Sequence, residues 1–386
     1  MSKISESEKA FFETKIDKIR ERISLDENET PPEFELKTPK QIYEDLNRFV
    51  VGQDRAKKIL SVVAHNHYKR LMIYRDSGFT KRLDKTNMLM LGPTGSGKTF
   101  LVKKLAEYLH VPCFIADASS LTAAGYVGKD VDSLVEGLID NCNGNYDAAA
   151  TGIIFIDEFD KIAKRKGNGR SGKDIGGESV QQGLLKLIEG RTVEIEKQSG
   201  FSKVKMTIDT SNILFIVGGA FVGLEEIIAK RLKTKKATTL GFGVKQEEEK
   251  TEEENLLQYV TTEDIEEFGF IPEILGRLPL FATLDELTEE QLFDILTKAE
   301  GNMLGQYQEL FAHSDKNLKF DDDALLEVAK RAKKLKTGAR SLKTIMETVL
   351  LDSMFELDDT VITKDYVTEK IQAQLHPNSK DRSKES

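Results

Sequence analysis

Apolar positions near the N-terminus repeat at helical spacing. Phe12, Ile16, Ile19 and Ile23 predict one stripe of a short helix, with Glu8, Lys9, Glu13, Asp17, Arg20 and Glu21 on its other faces. The polar, Pro-bearing stretch ENETPPEFELKTPK predicts a linker. TPKQIYEDLNRF then opens on a Thr cap, and GQDRAKKILSVVAHNHYKRLMIYR again has helical spacing. From there the pattern changes to short, mainly apolar runs: NMLML at 87–91, CFIADA at 113–118, IIFID at 153–157 and ILFIV at 213–217. The first reads as a buried parallel strand, and the strand-helix alternation continues through the others, with helical stretches such as TFLVKKLAEYLH between. Four such strands predict a doubly wound α/β sheet with its ligand at the strand C-termini. Beyond residue 280 the period is helical, which predicts a smaller helical domain. The expected division is an N-terminal helix and linker at 1–40, a large domain at 41–284, a small domain at 285–375 and a tail at 376–386.

Composition narrows the class. With 386 residues, the chain is long enough for two or three domains, and 39% hydrophobic residues supply a core. No apolar run is long enough to span a bilayer, so no membrane is expected and the cytoplasm is the expected compartment. Two cysteines, Cys113 and Cys142, fit a reducing compartment and exclude both a disulfide framework and a four-Cys zinc site. His65 and His67 stand two apart on a helix and face different sides, so they do not rescue a zinc site. The net charge of −9 argues against a general nucleic-acid binder, so no nucleic-acid partner is expected.

The candidate chemistry starts at GPTGSGKT, Gly92–Pro93–Thr94–Gly95–Ser96–Gly97–Lys98–Thr99. It matches the phosphate loop and stands between a predicted strand and a predicted helix, the context the motif requires. Glycines let backbone N–H groups converge on an anion, and the following helix adds the positive end of its dipole. Lys98 is placed for the β- and γ-phosphates of ATP and Thr99 for Mg²⁺. At 157–158 an apolar strand ends in Asp157 and Glu158. Asp157 suits a Mg²⁺ water shell and Glu158 suits polarising a water, which predicts hydrolysis rather than nucleotide storage. Arg277, in GRLPLF, fits a surface turn or an arginine finger. Arg340, in KTGARSL, fits a solvated helix face or a phosphate contact. The stretch GYVG, Gly125–Tyr126–Val127–Gly128, fits a packed turn or a loop presenting an aromatic.

These motifs, with FVVGQDRAKK, LTAAGYVGKDVDSLV, GGESVQQGLLKLIEG, ILFIVGGAF and GFIPEILGRLPLFATLDELT, occur in the order and spacing of one family. From about Thr38 to about Asp359 the chain resembles the AAA+ ATPases, most closely the ClpX-type protein unfoldases. The resemblance implies a P-loop NTPase large domain, a smaller, mostly helical domain, and a hexameric ring. It implies that the ring threads unfolded or tagged protein substrates into a ClpP-like peptidase, with ATP and Mg²⁺ as cofactors and no zinc. It places Val50, Val51, Gly52 and Gln53 beside the adenine, and makes Asp157 and Glu158 the Walker B pair. It makes Arg277 the finger for a neighbour's site and Arg340 the sensor-2 arginine. Tyr126 and Val127 become the pore grip, and 166–176 a second pore loop.

The resemblance also places Leu240–Gly241–Phe242 at the peptidase-docking loop, where the family usually has Ile-Gly-Phe. Two departures stand out. The family's N-terminal four-Cys zinc domain cannot be built from Cys113 and Cys142. The loop at 194–206 lacks the family's Arg-Lys-His triplet, although Lys197, Lys203 and Lys205 are basic. The alternatives are a stand-alone AAA+ remodeller of proteins and a nucleic-acid motor or loader. Tyr126–Val127, with Lys129 and Asp130 nearly cancelling, argues against the motor.

Overall fold

The computed structural model describes residues 36–77, 83–122, 130–164, 177–199, 202–239 and 255–375. The chain divides into two compact units, Met1–Lys37 and Thr38–Ser386. The apolar stripe at 12–23, the GYVG stretch, the 166–176 segment, Leu240–Phe242 and the tail all lie outside the described residues.

The second unit opens with α1 (Pro39–Phe49) and α2 (Asp54–Ser77). Thr38 caps α1 through a capping box with Gln41, as the Thr signal predicts. The fold then alternates β1 (Met88–Leu91), α3 (Lys98–Leu109), β2 (Cys113–Asp117), α4 (Ser133–Asn141), α5 (Tyr146–Ala149) and β3 (Ile153–Asp157). After α6 (Gly177–Glu189) come β4 (Thr192–Ser199), β5 (Ser202–Asp209), β6 (Leu214–Gly219), α7 (Leu224–Thr239), α8 (Thr262–Phe268), α9 (Pro272–Leu275) and β7 (Leu280–Thr283).

Five strands form one sheet in the order β2-β3-β6-β1-β7. Every pairing in it is parallel. β1, β6 and the first four residues of β3 are fully buried, which is why their sequences are unbroken apolar runs. The fold is therefore an α/β parallel sheet followed by a helical region. Leu89, Ile154, Phe215 and Val217 belong to its core, together with side chains of α4 and α6.

Two features depart from the sequence reading. The sheet has a fifth strand, β7, at its edge beside β1. β7 is four residues long and only its second half is buried, so it has no apolar run long enough to announce it. The 194–206 segment, read as a loop, is most of an antiparallel hairpin of β4 and β5, with Glu194 opposite Thr207 and Glu196 opposite Lys205. Its charged alternation satisfies a two-stranded ribbon, where one face meets water and Lys205 pairs with Glu194 and Glu196 at 3.6 and 3.7 Å.

The C-terminal helices are α10 (Glu289–Thr297), α11 (Met303–Ala312), α12 (Asp322–Lys334), α13 (Ala339–Glu356) and α14 (Lys364–Leu375). They share a second core around Leu292, Leu296, Val328, Leu342 and Met346. A short parallel pair, β8 (Leu318–Phe320) with β9 (Thr360–Ile362), ties α11–α12 to α13–α14.

Candidate nucleotide site

β1 ends at Leu91, and the chain must turn at once into α3. Gly92, Gly95 and Gly97 all have positive φ. A Cβ on Gly95 would come within 2.1 Å of the Thr337 carbonyl oxygen, whereas one on Gly97 would meet nothing within 4 Å. Gly95 is thus required for close approach of the α12–α13 connection, and Gly97 for its left-handed turn. Gly97 caps α3 without any side-chain acceptor, so the first N–H groups of a twelve-residue helix are left for an anion.

Lys98 is buried and donates through Nζ to the carbonyls of Gly92 at 2.6 Å and Pro93 at 3.0 Å. Burial pushes its pKa below the usual range. Asp157 and Asp160 pull it back up, and the nearby Arg340 guanidinium pushes it further down. Thr99 Oγ1 donates to Asp157 Oδ2 at 2.6 Å, and the Glu158 N–H donates to Asp157 Oδ1 at 2.9 Å. The Thr99–Asp157 contact thus ties the first turn of α3 to the end of β3. Glu158 is exposed and sits in the left-handed region at φ 53°. For a residue other than glycine that conformation costs about 1–3 kcal/mol, and such strain collects at functional positions.

These groups open on a cavity of about 490 Å³, within the usual size of a ligand site. Thr94, Gly95, Gly97, Lys98, Thr99, Asp157, Glu158 and Arg340 line its polar end. Phe49, Ile295, Ala299 and Met303 supply apolar wall, beside Glu300, Asn302 and Gln306. Arg340 stands in the first turn of α13, whose start is tied to the loop by the Ala339 N–H donating to Gly95 O at 3.1 Å.

The remaining candidates fall elsewhere. Pro93 and Ser96 line a small hollow on the other side of the loop, with Leu287 and Gly338. Gly92 is buried behind the loop, its N–H donating to Gly219 O at 3.2 Å. Val50 is buried and Val51 half-buried, and neither is a wall of the 490 Å³ cavity. Gln53 is buried as a staple: its amide donates to Ser96 O at 3.3 Å and Asp285 O at 2.9 Å and accepts from Asp285 N at 2.9 Å. Arg277 is not in the cavity. It precedes β7 at the N-terminal edge of the sheet, where its guanidinium pairs with Glu189 at 2.8 Å.

Sequence reading missed the apolar wall. Phe49 adjoins the Val50–Val51 pair, and Ile295, Ala299 and Met303 look like any helical core positions in the sequence. It also passed over Asp160, a cavity residue whose Oδ1 accepts the Ala220 N–H at 3.1 Å and so ties the end of β3 to the end of β6.

Comparison with known proteins gives the family. The family model for the AAA domain (Cdc48 subfamily) matches residues 83–281. That for the C-terminal, D2-small domain of ClpB protein matches 287–361. Relatives named ATP-dependent Clp protease ATP-binding subunit ClpX include one from Treponema denticola, 44% identical over 87% of this chain and 81% of its own. Another, from Bacteroides thetaiotaomicron, is 41% identical over 88% of this chain and 83% of its own. A third, from Borrelia duttonii, is 44% identical over 86% of this chain and 79% of its own. A phosphate loop, an Asp-Glu strand end and a facing arginine on one sheet edge, in a chain this similar to these relatives along most of its length, place the chain in the ClpX family of AAA ATPases.

Proposed function

We propose that this chain is an ATP-driven protein unfoldase that works as a hexameric ring in the cytoplasm and feeds a ClpP-type peptidase. The observation that carries the ATPase half is the convergence of the uncapped start of α3, Lys98, the Thr99–Asp157 pair and Arg340 on one 490 Å³ cavity. The apolar walls suit a purine base and the polar end suits a triphosphate. Thr99 Oγ1 and Asp157 Oδ2 are hard oxygen donors in contact, which fits Mg²⁺, an ion that takes one or two protein oxygens beside phosphates and water. When bound, Mg²⁺ supplies charge neutralisation at the β- and γ-phosphates.

The protein's own groups divide the remaining work. Lys98 exchanges the carbonyls of Gly92 and Pro93 for phosphate oxygens. Its position among Asp157, Asp160 and Arg340 keeps it within the field of the acids. Glu158, projecting from the strand end, accepts a proton from the attacking water. Arg340 reads the phosphates from α13, so that loss of phosphate loosens the hold of the helical layer on the loop. Arg277 completes the site of an adjacent subunit. Tyr126 and Val127 grip the substrate chain, and Leu240–Phe242 dock the peptidase. Both assignments rest on resemblance to the family.

Glu158→Gln tests the site. Nucleotide binding should persist while turnover falls on the order of 10²–10⁴-fold. Unchanged hydrolysis would remove Glu158 from its role. Tyr126→Ala tests the threading half: ATP hydrolysis should continue while unfolding of a tagged substrate is crippled. Normal unfolding by that variant would leave the ATPase standing without the proposed pore.

A further inference from the structure

Beside the nucleotide cavity, two residues 252 positions apart meet. Arg48, in the last turn of α1, presents a fork to Glu300, in the turn between α10 and α11. Its Nε donates to Glu300 Oε2 at 2.7 Å and its Nη2 donates to Oε1 at 2.8 Å. The third nitrogen, Nη1, donates to Asp45 Oδ1 at 3.1 Å, so the guanidinium plane is held from both sides. Below this fork the Glu300 N–H donates to the Arg48 carbonyl at 2.9 Å. Both partners flank cavity walls. Phe49 follows Arg48, Ala299 precedes Glu300, and Glu300 is itself a wall. The Phe49 ring lies beneath the Arg48 guanidinium at 5.5 Å and the Lys104 ammonium at 4.6 Å.

We propose that Arg48 and Glu300 are positioning residues that hold the base end of the nucleotide cavity closed and thereby set the rate of nucleotide release. The proposal rests on the reading of this cavity as a purine-nucleotide site. A base leaving between Phe49 and Ala299 has to part the α1 end from the α10–α11 turn. The planar fork and the backbone hydrogen bond resist that separation together. A forked pair needs the guanidinium plane as well as the charge, so lysine at 48 restores attraction but not geometry. Because the pair is exposed, its effect is modest and is screened by salt.

The test is release of N-methylanthraniloyl-ADP from the assembled full chain with Mg²⁺, chased by excess ATP. Arg48→Glu and Glu300→Arg should each speed release roughly two- to fivefold at low salt. The charge-swapped double variant should return towards the parent rate, and Arg48→Lys should fall between. At about 0.5 M salt the differences should shrink. Release unchanged in both single variants, or a double variant as fast as the faster single, overturns the latch while leaving the nucleotide site intact. If the parent protein does not bind the probe, the reading of the cavity fails first and the latch falls with it.

Discussion

The two edges of the central sheet place charge differently. At the C-terminal edge, Lys98, Asp157, Glu158 and Arg340 surround an open cavity, and their partners are few and close to the phosphate loop. At the N-terminal edge, two cations and a neutral imidazole are turned onto the carbonyls of one turn, Thr210–Ile213. Lys85 donates to Thr210 O and Ile213 O at 3.2 and 3.1 Å, Arg70 to Ser211 O at 3.2 Å, and His67 Nε2 meets Asn212 O at 3.0 Å. The first edge holds charge ready for a ligand, and the second uses it to cap a turn. The difference is sharpest between two arginines that look alike in sequence, Gly276–Arg277 and Ala339–Arg340. β1 and β7 run parallel for four residues, roughly 13 Å, between the Arg277 end and the phosphate loop. Arg277, anchored through its carbonyl by Asn87 Nδ2 at 3.3 Å, therefore faces away from its own cavity. In the proposed ring, Arg277 serves another subunit's cavity rather than its own.

Subunit mixing is the strongest way to break that comparison. Arg277→Ala should lower ATP turnover by about 10³-fold or more, the scale of arginine fingers. Mixed rings of Arg277→Ala and Glu158→Gln chains should recover part of the activity, because each Glu158-bearing site can then receive an intact Arg277. Arg340→Ala mixed with Glu158→Gln should recover nothing, since both defects fall in the same site. Recovery in neither mixture would place Arg277 in its own cavity's chemistry or outside catalysis.

Glycine substitutions give the next largest effect. Gly95→Ala drives a Cβ into the Thr337 carbonyl as well as forcing a left-handed φ, so thermal or denaturant unfolding should report a loss of about 2–3 kcal/mol and weakened nucleotide binding. Gly97→Ala meets only the left-handed φ and should cost about 1–2 kcal/mol. Equal costs would mean that the α12–α13 connection does not press on the loop.

The smallest effect belongs to the capped edge. Burial, with Arg70 and Lys85 nearby, pushes the His67 pKa from 6.5 down to about 3, against a small upward pull from the Asn212 carbonyl. The unfolded chain takes a proton here that the folded chain refuses. The contribution of His67 is therefore complete above pH 6.5 and is lost as pH falls towards 3. Stability should drop by about 1 kcal/mol between pH 6.5 and 5.5 from this group alone. In His67→Gln that slope should vanish from a pH series of urea unfolding curves, whatever the absolute stability.

What was legible in sequence had a local cause. The phosphate loop is readable because its backbone turns, its glycines and the start of α3 all lie within eight residues. Asp157–Glu158 is readable because a buried strand stops at the acids. β7 was not, since four residues at a sheet edge have no period to show. The hairpin of β4 and β5 was hidden because its charged alternation resembles a solvated loop until the two strands are paired. The apolar wall of the cavity was hidden for another reason. Ile295, Ala299 and Met303 follow ordinary helical spacing, and nothing local distinguishes a wall facing a cavity from a wall facing another helix.

The sequence by itself determined the sheet's central strands, the phosphate loop with its acidic partner, and membership of the ClpX family. Each depends on neighbouring residues or on a run of motifs in order. Only the tertiary structure decided which edge of the sheet each charge occupies. It separated Arg340 from Arg277, turned Gln53 into a staple between Ser96 and Asp285, and brought Arg48 to Glu300 across 252 positions. Strand direction and the crossing of distant helices set those placements, and neither is written in the spacing of adjacent residues.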